Sequence, residues 1–215
     1  MNLPKIGVLV SGRSGGTNFQ AILDAITRNE LHVKVALLVA TDELHGAVAR
    51  ARAANIKTLV LPPGECDSAE AWDHQVSDAL YQQGVAVVCL AGYLRLITHV
   101  LLEAFPGRIL NVHPALLPAF GGKGMYGLHV HQAVLEYGAK VSGCTVHLVD
   151  EAYDTGPVIV QRPVPVEEND TPETLAARIL PHEHKAFIEA LQLLSENRLQ
   201  VVGRRVHVLP SNTVL

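Results

Sequence analysis

The sequence predicts an α/β fold: an open, mostly parallel twisted sheet with helices on both faces. Three observations predict it. Short apolar, β-rich runs alternate with stretches of helical periodicity through the first half of the chain. One of these runs, Val85 to Leu90, is hydrophobic without a break, as a strand covered on both faces must be. Parallel pairing needs crossover connections, and the intervening helical stretches are long enough to supply them.

The elements follow in order. Ile6 to Val10 is a buried strand that stops at Ser11-Gly12. Phe19, Ile22, Leu23 and Ile26 keep the i, i+3, i+4, i+7 spacing of one apolar helix face. Val33 to Ala40 is the second strand, Ala47 to Ala54 an Ala-rich helix, and Thr58 to Leu61 the third strand, closed by Pro62-Pro63-Gly64. Asp67 and Glu70 resemble a capping box for a helix that continues through Trp72, Val76, Ala79 and Leu80. After the fourth strand, Val85 to Leu90, a short helix at His99 to Phe105 precedes the fifth, Arg108 to Val112.

The second half changes character. Pro114 to Gly127 is a long Pro/Gly-rich loop, and loops of that length are usually functional or disordered. Leu128 to Tyr137 reads as a helix. Val141 to Val149 and Val158 to Val166 are longer strands around an acidic turn, Asp150 to Pro157. Thr171-Pro172 opens a last helix with Pro at its first position. Pro181 is expected to kink or split that helix. Val201 to Leu209 reads as a small C-terminal hairpin around Gly203. No repeat or linker divides the chain, so residues 1–215 are expected to form a single domain.

Composition narrows the function. Apolar residues make up 48% and charged residues 18%, enough to bury a sizeable core. The net charge is −4, with no basic run, so nucleic acid and acidic membranes are not expected partners. Cys66, Cys89 and Cys144 have neither zinc-knuckle nor C-x-x-C spacing and are expected as reduced thiols. The start, Met1 to Lys5, lacks the features of a signal peptide. Val85 to Leu94 is about half of the roughly 20 residues that a membrane span needs. A cytoplasmic protein is expected.

Two segments carry chemistry. Ser11 to Asn18 joins the first strand to the first helix. Its glycines let the backbone approach a ligand, and the helix start offers free N–H groups to a phosphate. The bland reading is a tight turn capped by Thr17 or Asn18. Asp42, just past the second strand, is where a dinucleotide-binding protein holds ribose hydroxyls, so that alternative stays open. The second segment is Asn111-Val112-His113-Pro114, at the carboxyl end of a strand, where open α/β sheets bind ligands. Asn111 and His113 share a strand face. An amide N–H and a protonated imidazole aimed at one point make an oxyanion site. The bland reading is a strand-capping Asn and a satisfied core His. His147 is read both ways, near the site or in the core.

Asn111-Val112-His113-Pro114, followed by Leu116-Leu117-Pro118, resembles the hallmark of the folate-dependent formyltransferases. Asp154-Thr155-Gly156-Pro157-Val158 is similar to the acidic turn of that family. Leu90 to Leu96 resembles its folate-proximal strand and turn, and Gly16-Thr17-Asn18 the end of its phosphate loop. The similarity runs from about Lys5 to Leu199. It implies a Rossmann-like formyltransferase fold with nucleotide phosphate bound in the N-terminal half, and folate and catalysis in the C-terminal half. It implies 10-formyltetrahydrofolate as co-substrate and the amine of glycinamide ribonucleotide, from purine biosynthesis, as acceptor. Asn111 would donate to the formyl oxygen, His113 would stabilise the oxyanion and move the proton, and Asp154 would orient His113. Gly15, Gly16, Thr17, Asn18 and Glu183 would hold the ribonucleotide. Leu94, Arg95, Leu96 and Ile97 would line the pterin site, and Asp150, Glu151, Ala152 and Tyr153 would close over it. Small molecules are the expected partners of a monomer or homodimer.

The sequence departs from the family pattern in three places. The first loop is longer around Arg13-Ser14. Ala69 stands where many relatives have an Arg near the folate tail. Gly121 to Tyr126 lengthens the loop after the hallmark, placing Lys123 either against an anionic substrate or in solvent. A formyltetrahydrofolate hydrolase and a non-catalytic nucleotide-binding module are the alternatives; keeping Asn111, His113 and Asp154 together argues against the latter.

No metal is expected. His129 with His131, and His182 with His184, are two apart on helices and point away from each other. A chelator should therefore leave the activity unchanged; loss of turnover in EDTA that zinc restores would contradict this reading.

Overall fold

In the computed structural model, residues 3–211 are described. The elements are β1 (Lys5–Val10), α1 (Thr17–Thr27), β2 (Lys34–Ala40), α2 (Gly46–Ala53), β3 (Thr58–Val60), α3 (Ala69–Gln82), β4 (Val87–Leu90) and α4 (His99–Ala104). There follow β5 (Ile109–His113), α5 (Leu128–Tyr137), β6 (Val141–Leu148), β7 (Val158–Pro165), α6 (Pro172–Ser195) and a separate hairpin, β8 (Leu199–Val202) with β9 (Arg205–Val208).

The sheet order is β3-β2-β1-β4-β5-β6-β7. Strands β3 to β5 are parallel. Then β6 runs antiparallel to β5, and β7 antiparallel to β6. The span from β6 to β7 is too short for a crossover, so the chain must turn straight back. Each face of the sheet carries its own core. Ile6, Val8 and Val10 of β1 pack with Phe19 and Ile22 of α1 and Phe187 and Leu191 of α6. Leu9 points to the other side, toward Trp72, Val76 and Leu80 of α3 and Leu101 and Phe105 at α4. Both faces of β1 are therefore sealed.

Strand order reverses between β1 and β4, which opens a crevice at their carboxyl ends. The two following loops are tied across it. The Ser11 N–H donates to the Gly92 carbonyl (3.3 Å) and the Leu94 N–H to Ser11 Oγ (2.7 Å). The expected phosphate loop and the expected pterin-lining turn thus share one wall.

Two local expectations change. The cap of α3 is Ser68, whose Oγ accepts from the Ala71 N–H at 3.1 Å, and not Asp67. A hydroxyl at the position directly before the helix reaches the third helical N–H; Asp67 sits one residue too early. Pro181 does not split α6, which runs unbroken for 24 residues. An interior Pro costs roughly 3 kcal/mol. Against that, Leu175, Ile179, Phe187, Leu191 and Leu194 are all buried, each contributing roughly 1.5–3 kcal/mol. The packed face outweighs the missing hydrogen bond. Thr171 caps α6 in a capping box with Thr174. Among the described residues, no helix is long and apolar enough to cross a membrane.

Candidate active site

A cleft of about 610 Å³ lies at the carboxyl ends of β1, β4 and β5. Asn111, His113, His147, Asp154 and Glu183 all line it. A larger hollow of about 780 Å³, outside α1 and α6, holds only Thr17 of the expected site residues.

Asp154 stands at the centre, in a left-handed conformation (φ 58°). Its Oδ2 accepts the Gly122 N–H at 3.0 Å, and its Oδ1 accepts Asn111 Nδ2 at 3.3 Å. His113 Nδ1 lies 3.4 Å from Oδ2 and His147 Nε2 3.6 Å from Oδ1. Burial raises the Asp154 carboxyl; the two histidines and the Gly122 N–H outweigh it and hold the group below its ordinary value. At 3.6 Å His147 is too far for a direct hydrogen bond, so Gly122 is the close donor. The turn needs a glycine two residues on, because a Cβ at Gly156 would overlap the Leu148 carbonyl oxygen.

The antiparallel register sets the neighbours. Asn111 pairs with His147, and His113 with Thr145. His147 is 2% exposed, and its Nδ1 lies 2.8 Å from the Leu148 carbonyl. That nitrogen must carry the proton, so Nε2 is free to accept Asn111 Nδ2 at 3.2 Å. His147 is thus both buried and in the site. The network also fixes the amide: both Nδ2 hydrogens of Asn111 face Asp154 and His147.

His113 is 3% exposed. Its Nε2 donates to the Phe120 carbonyl at 2.8 Å. In the neutral ring that leaves Nδ1 as the basic atom, beside Asp154. Burial pulls the imidazole below its ordinary value, and the Asp154 carboxylate opposes this. The resting arrangement is a neutral imidazole next to a carboxylate. The protonated imidazole expected from sequence forms only when Nδ1 takes a proton. The Phe120 carbonyl is held by its own scaffold: Thr145 Oγ1 accepts from the Leu117 N–H and donates to the Ala115 carbonyl, and Gln161 Nε2 donates to the Leu117 carbonyl.

The first loop departs from its bland reading. The cap of α1 is Gly16, at φ 69°, with no side-chain bond, so neither Thr17 nor Asn18 is spent as a cap. Asn18 faces Glu183 across the cleft, and its Oδ1 is buried without a partner. Burial pushes Glu183 up to about 7, and the hydrogen bond from Asn18 works against this. Asp42 accepts Arg13 Nε and the Leu44 N–H, both at 2.8 Å. The acid that a dinucleotide ribose would use thus carries an exposed ion pair and a bond within its own turn.

Leu94, Arg95, Leu96 and Ile97 line the cleft, as do Asp150, Ala152 and Tyr153. Glu151 does not; it is exposed. Gly15 and Gly16, in the loop, and Thr17, the first residue of α1, are not in the cleft lining; Thr17 lines the other hollow. Arg95 sits over the Trp72 ring, 5.5 Å from its centroid. Lys123 lines the cleft. So does His131, 3% exposed with Nδ1 unpartnered, which the sequence reading weighed only as a metal ligand. Its signal was present: His131 lies on the buried face of α5, three residues from Val134. Among the described residues, no group of three or more His, Cys, Asp or Glu side chains is placed to hold a metal ion.

A family model described as formyl transferase matches residues 4–191. The chloroplastic phosphoribosylglycinamide formyltransferase of Arabidopsis thaliana is 46% identical over 197 residues, covering 91% of this chain and 67% of that protein. The phosphoribosylglycinamide formyltransferase of Bacillus subtilis (strain 168) is 37% identical, covering 91% of this chain and 97% of that one. The crystal structure of glycinamide ribonucleotide transformylase 1 from Symbiobacterium toebii superposes with a TM-score of 0.90 at 45% identity, covering 97% of this chain and 95% of that one.

Glu183 gives a pH test of this site. Its folded value, about 7, lies above the ordinary 4.5. Between those values the unfolded chain has released the proton and the folded one has kept it, so stability falls as pH rises through the window. Glu183→Gln removes the titration. Chemical denaturation should show the variant gaining on the native protein from about pH 5 to about pH 8. A stability difference independent of pH would contradict the assignment.

Proposed function

The chain belongs to the formyl transferase family, and on that premise we propose that it formylates glycinamide ribonucleotide from 10-formyltetrahydrofolate. The products are formylglycinamide ribonucleotide and tetrahydrofolate, in de novo purine biosynthesis. The observation that carries the reading is the convergence of Asn111, His113 and Asp154 on one cleft, a loop away from a phosphate seat.

The acceptor amine attacks the formyl carbon. A nitrogen–carbon bond forms, and the carbonyl π electrons move to oxygen. Asn111 trades one of its long contacts, to Asp154 or His147, for that oxygen; such bonds tighten when substrate arrives. His113 Nδ1 takes the amine proton, and the imidazolium is held by the Asp154 carboxylate. Collapse of the intermediate breaks the bond to the folate nitrogen, which leaves with the proton. Water-excluded donors of this kind usually supply the largest single share of the rate enhancement. No covalent enzyme intermediate is required. Leu94, Arg95, Leu96 and Ile97, with Asp150, Ala152 and Tyr153, hold the pterin. Gly15 to Asn18 and Glu183 hold the ribonucleotide.

The reading extends to the whole chain. Residues 1–215 act as a single formyltransferase domain, monomeric or dimeric, on small molecules in the cytoplasm and without nucleic acid. The three cysteines support that compartment: Cys89 and Cys144 are buried, and all three are free thiols.

The test is to incubate the protein with 10-formyltetrahydrofolate, with and without glycinamide ribonucleotide, and follow both products. Formylated ribonucleotide only in the presence of acceptor is expected; formate released equally without acceptor would mean a hydrolase instead. Asn111→Ala should lower turnover about 100- to 1,000-fold, as loss of an oxyanion donor does, and His113→Ala about 100- to 10,000-fold, as loss of a positioned base does. Native rates in either variant would remove that residue from the mechanism.

A further inference from the structure

The lengthened first loop is fastened to α2 by contacts that also decide where its N–H groups point. The Gly46 N–H donates to the Ser14 carbonyl at 2.8 Å, and Arg50 Nε donates to the Gly15 carbonyl at 3.1 Å. In a trans peptide the N–H is directed opposite to the C=O. The only cis bond among the described residues is Leu117-Pro118, so both loop peptides are trans. With the Ser14 and Gly15 carbonyls drawn onto α2, the N–H groups of Gly15 and Gly16 are turned away from it. Neither N–H has a hydrogen-bond partner among the described residues.

Two further features hold this arrangement. His45 is 1% exposed and accepts the Ala47 N–H on Nδ1 at 3.1 Å, capping α2. Its proton is therefore on Nε2, which donates to Ser14 Oγ at 2.9 Å. The fit is also tight. A Cβ on Gly46 would lie 2.6 Å from the Gly15 carbonyl oxygen, and one on Gly16 would lie 2.7 Å from the Ala47 nitrogen. The exposed Arg13–Asp42 pair adds little, as surface ion pairs do.

We infer that Gly46 and Arg50 are positioning residues for the acceptor's phosphate: by binding the Ser14 and Gly15 carbonyls, α2 aims the Gly15 and Gly16 N–H groups at it. This rests on the proposed acceptor. Arg50 reaches the loop through its Nε on the Gly15 carbonyl, and Gln20 Oε1 holds its Nη1 at 2.6 Å.

The test compares glycinamide ribonucleotide with its unphosphorylated riboside as acceptors. Gly46→Ala pushes on the loop without adding or removing a charge. The preference for the phosphorylated acceptor, as a ratio of kcat/KM values, should fall about tenfold or more, as expected when a hydrogen bond to a charged group is lost. The effect should appear in the KM for the ribonucleotide and not in the KM for the folate. General damage would lower both acceptors alike, and an unchanged ratio or a parallel fall overturns the inference. Arg50→Met serves as the second variant if Gly46→Ala does not fold. If the native protein formylates neither acceptor, the proposed function fails by itself. Binding of inorganic phosphate, read by calorimetry, then decides the inference: weaker binding in the variants supports it, and equal binding overturns it.

Discussion

The site depends on one buried carboxylate. Asp154 has a side chain only 10% exposed, in a left-handed turn, and its two oxygens are shared among Gly122, Asn111, His113 and His147. An ionised carboxylate taken out of water costs several kcal/mol unless hydrogen bonds and charges replace the solvent. Here the donors are Asn111 of β5 and Gly122 in the loop after it, with the His113 and His147 rings of β5 and β6 packed alongside. A missing partner would leave the carboxylate unsatisfied and the other groups without an anchor.

The sheet explains how distant residues reach one oxygen pair. Parallel strands β1, β4 and β5 end at a common edge, so their loops meet there. The reversal at β6 then brings a strand in the opposite direction against β5, placing His147 directly beside Asn111. The acidic turn that follows β6 sets Asp154 against the amide and the imidazole. The Thr145–Gln161 contacts, from the same two antiparallel strands, hold the loop whose Phe120 carbonyl sets the His113 tautomer.

Much of this was legible in the sequence, for local reasons. Unbroken apolar runs mark strands sealed on both faces, and the Thr171-Pro172 start of α6 is a property of neighbouring residues. Asn111 and His113 were legible as a pair because strand alternation alone puts them on one face. Other features depend on partners far along the chain. The cap at Ser68 differs from a pattern match by one residue. The survival of α6 through Pro181 depends on packing that no short window contains. The position of His147 depends on strand register, and the burial of His131 on what α5 covers. The exposed side chain of Glu151, between Asp150 and Ala152 that line the cleft, follows from the turn's three-dimensional course alone.

The central claim is that Asp154 stays ionised and acts on His113, whose neutral ring carries its proton on Nε2. Nitrogen-15 NMR of the histidine rings, titrated in the native protein and in Asp154→Asn, measures this directly. The account predicts a neutral His113 protonated on Nε2 near neutral pH. It also predicts a lower titration midpoint in Asp154→Asn, because the carboxylate supports the imidazolium against burial. A midpoint that stays in place, or rises, would show that the carboxylate does not act on His113, and the proposed proton path would have to be abandoned.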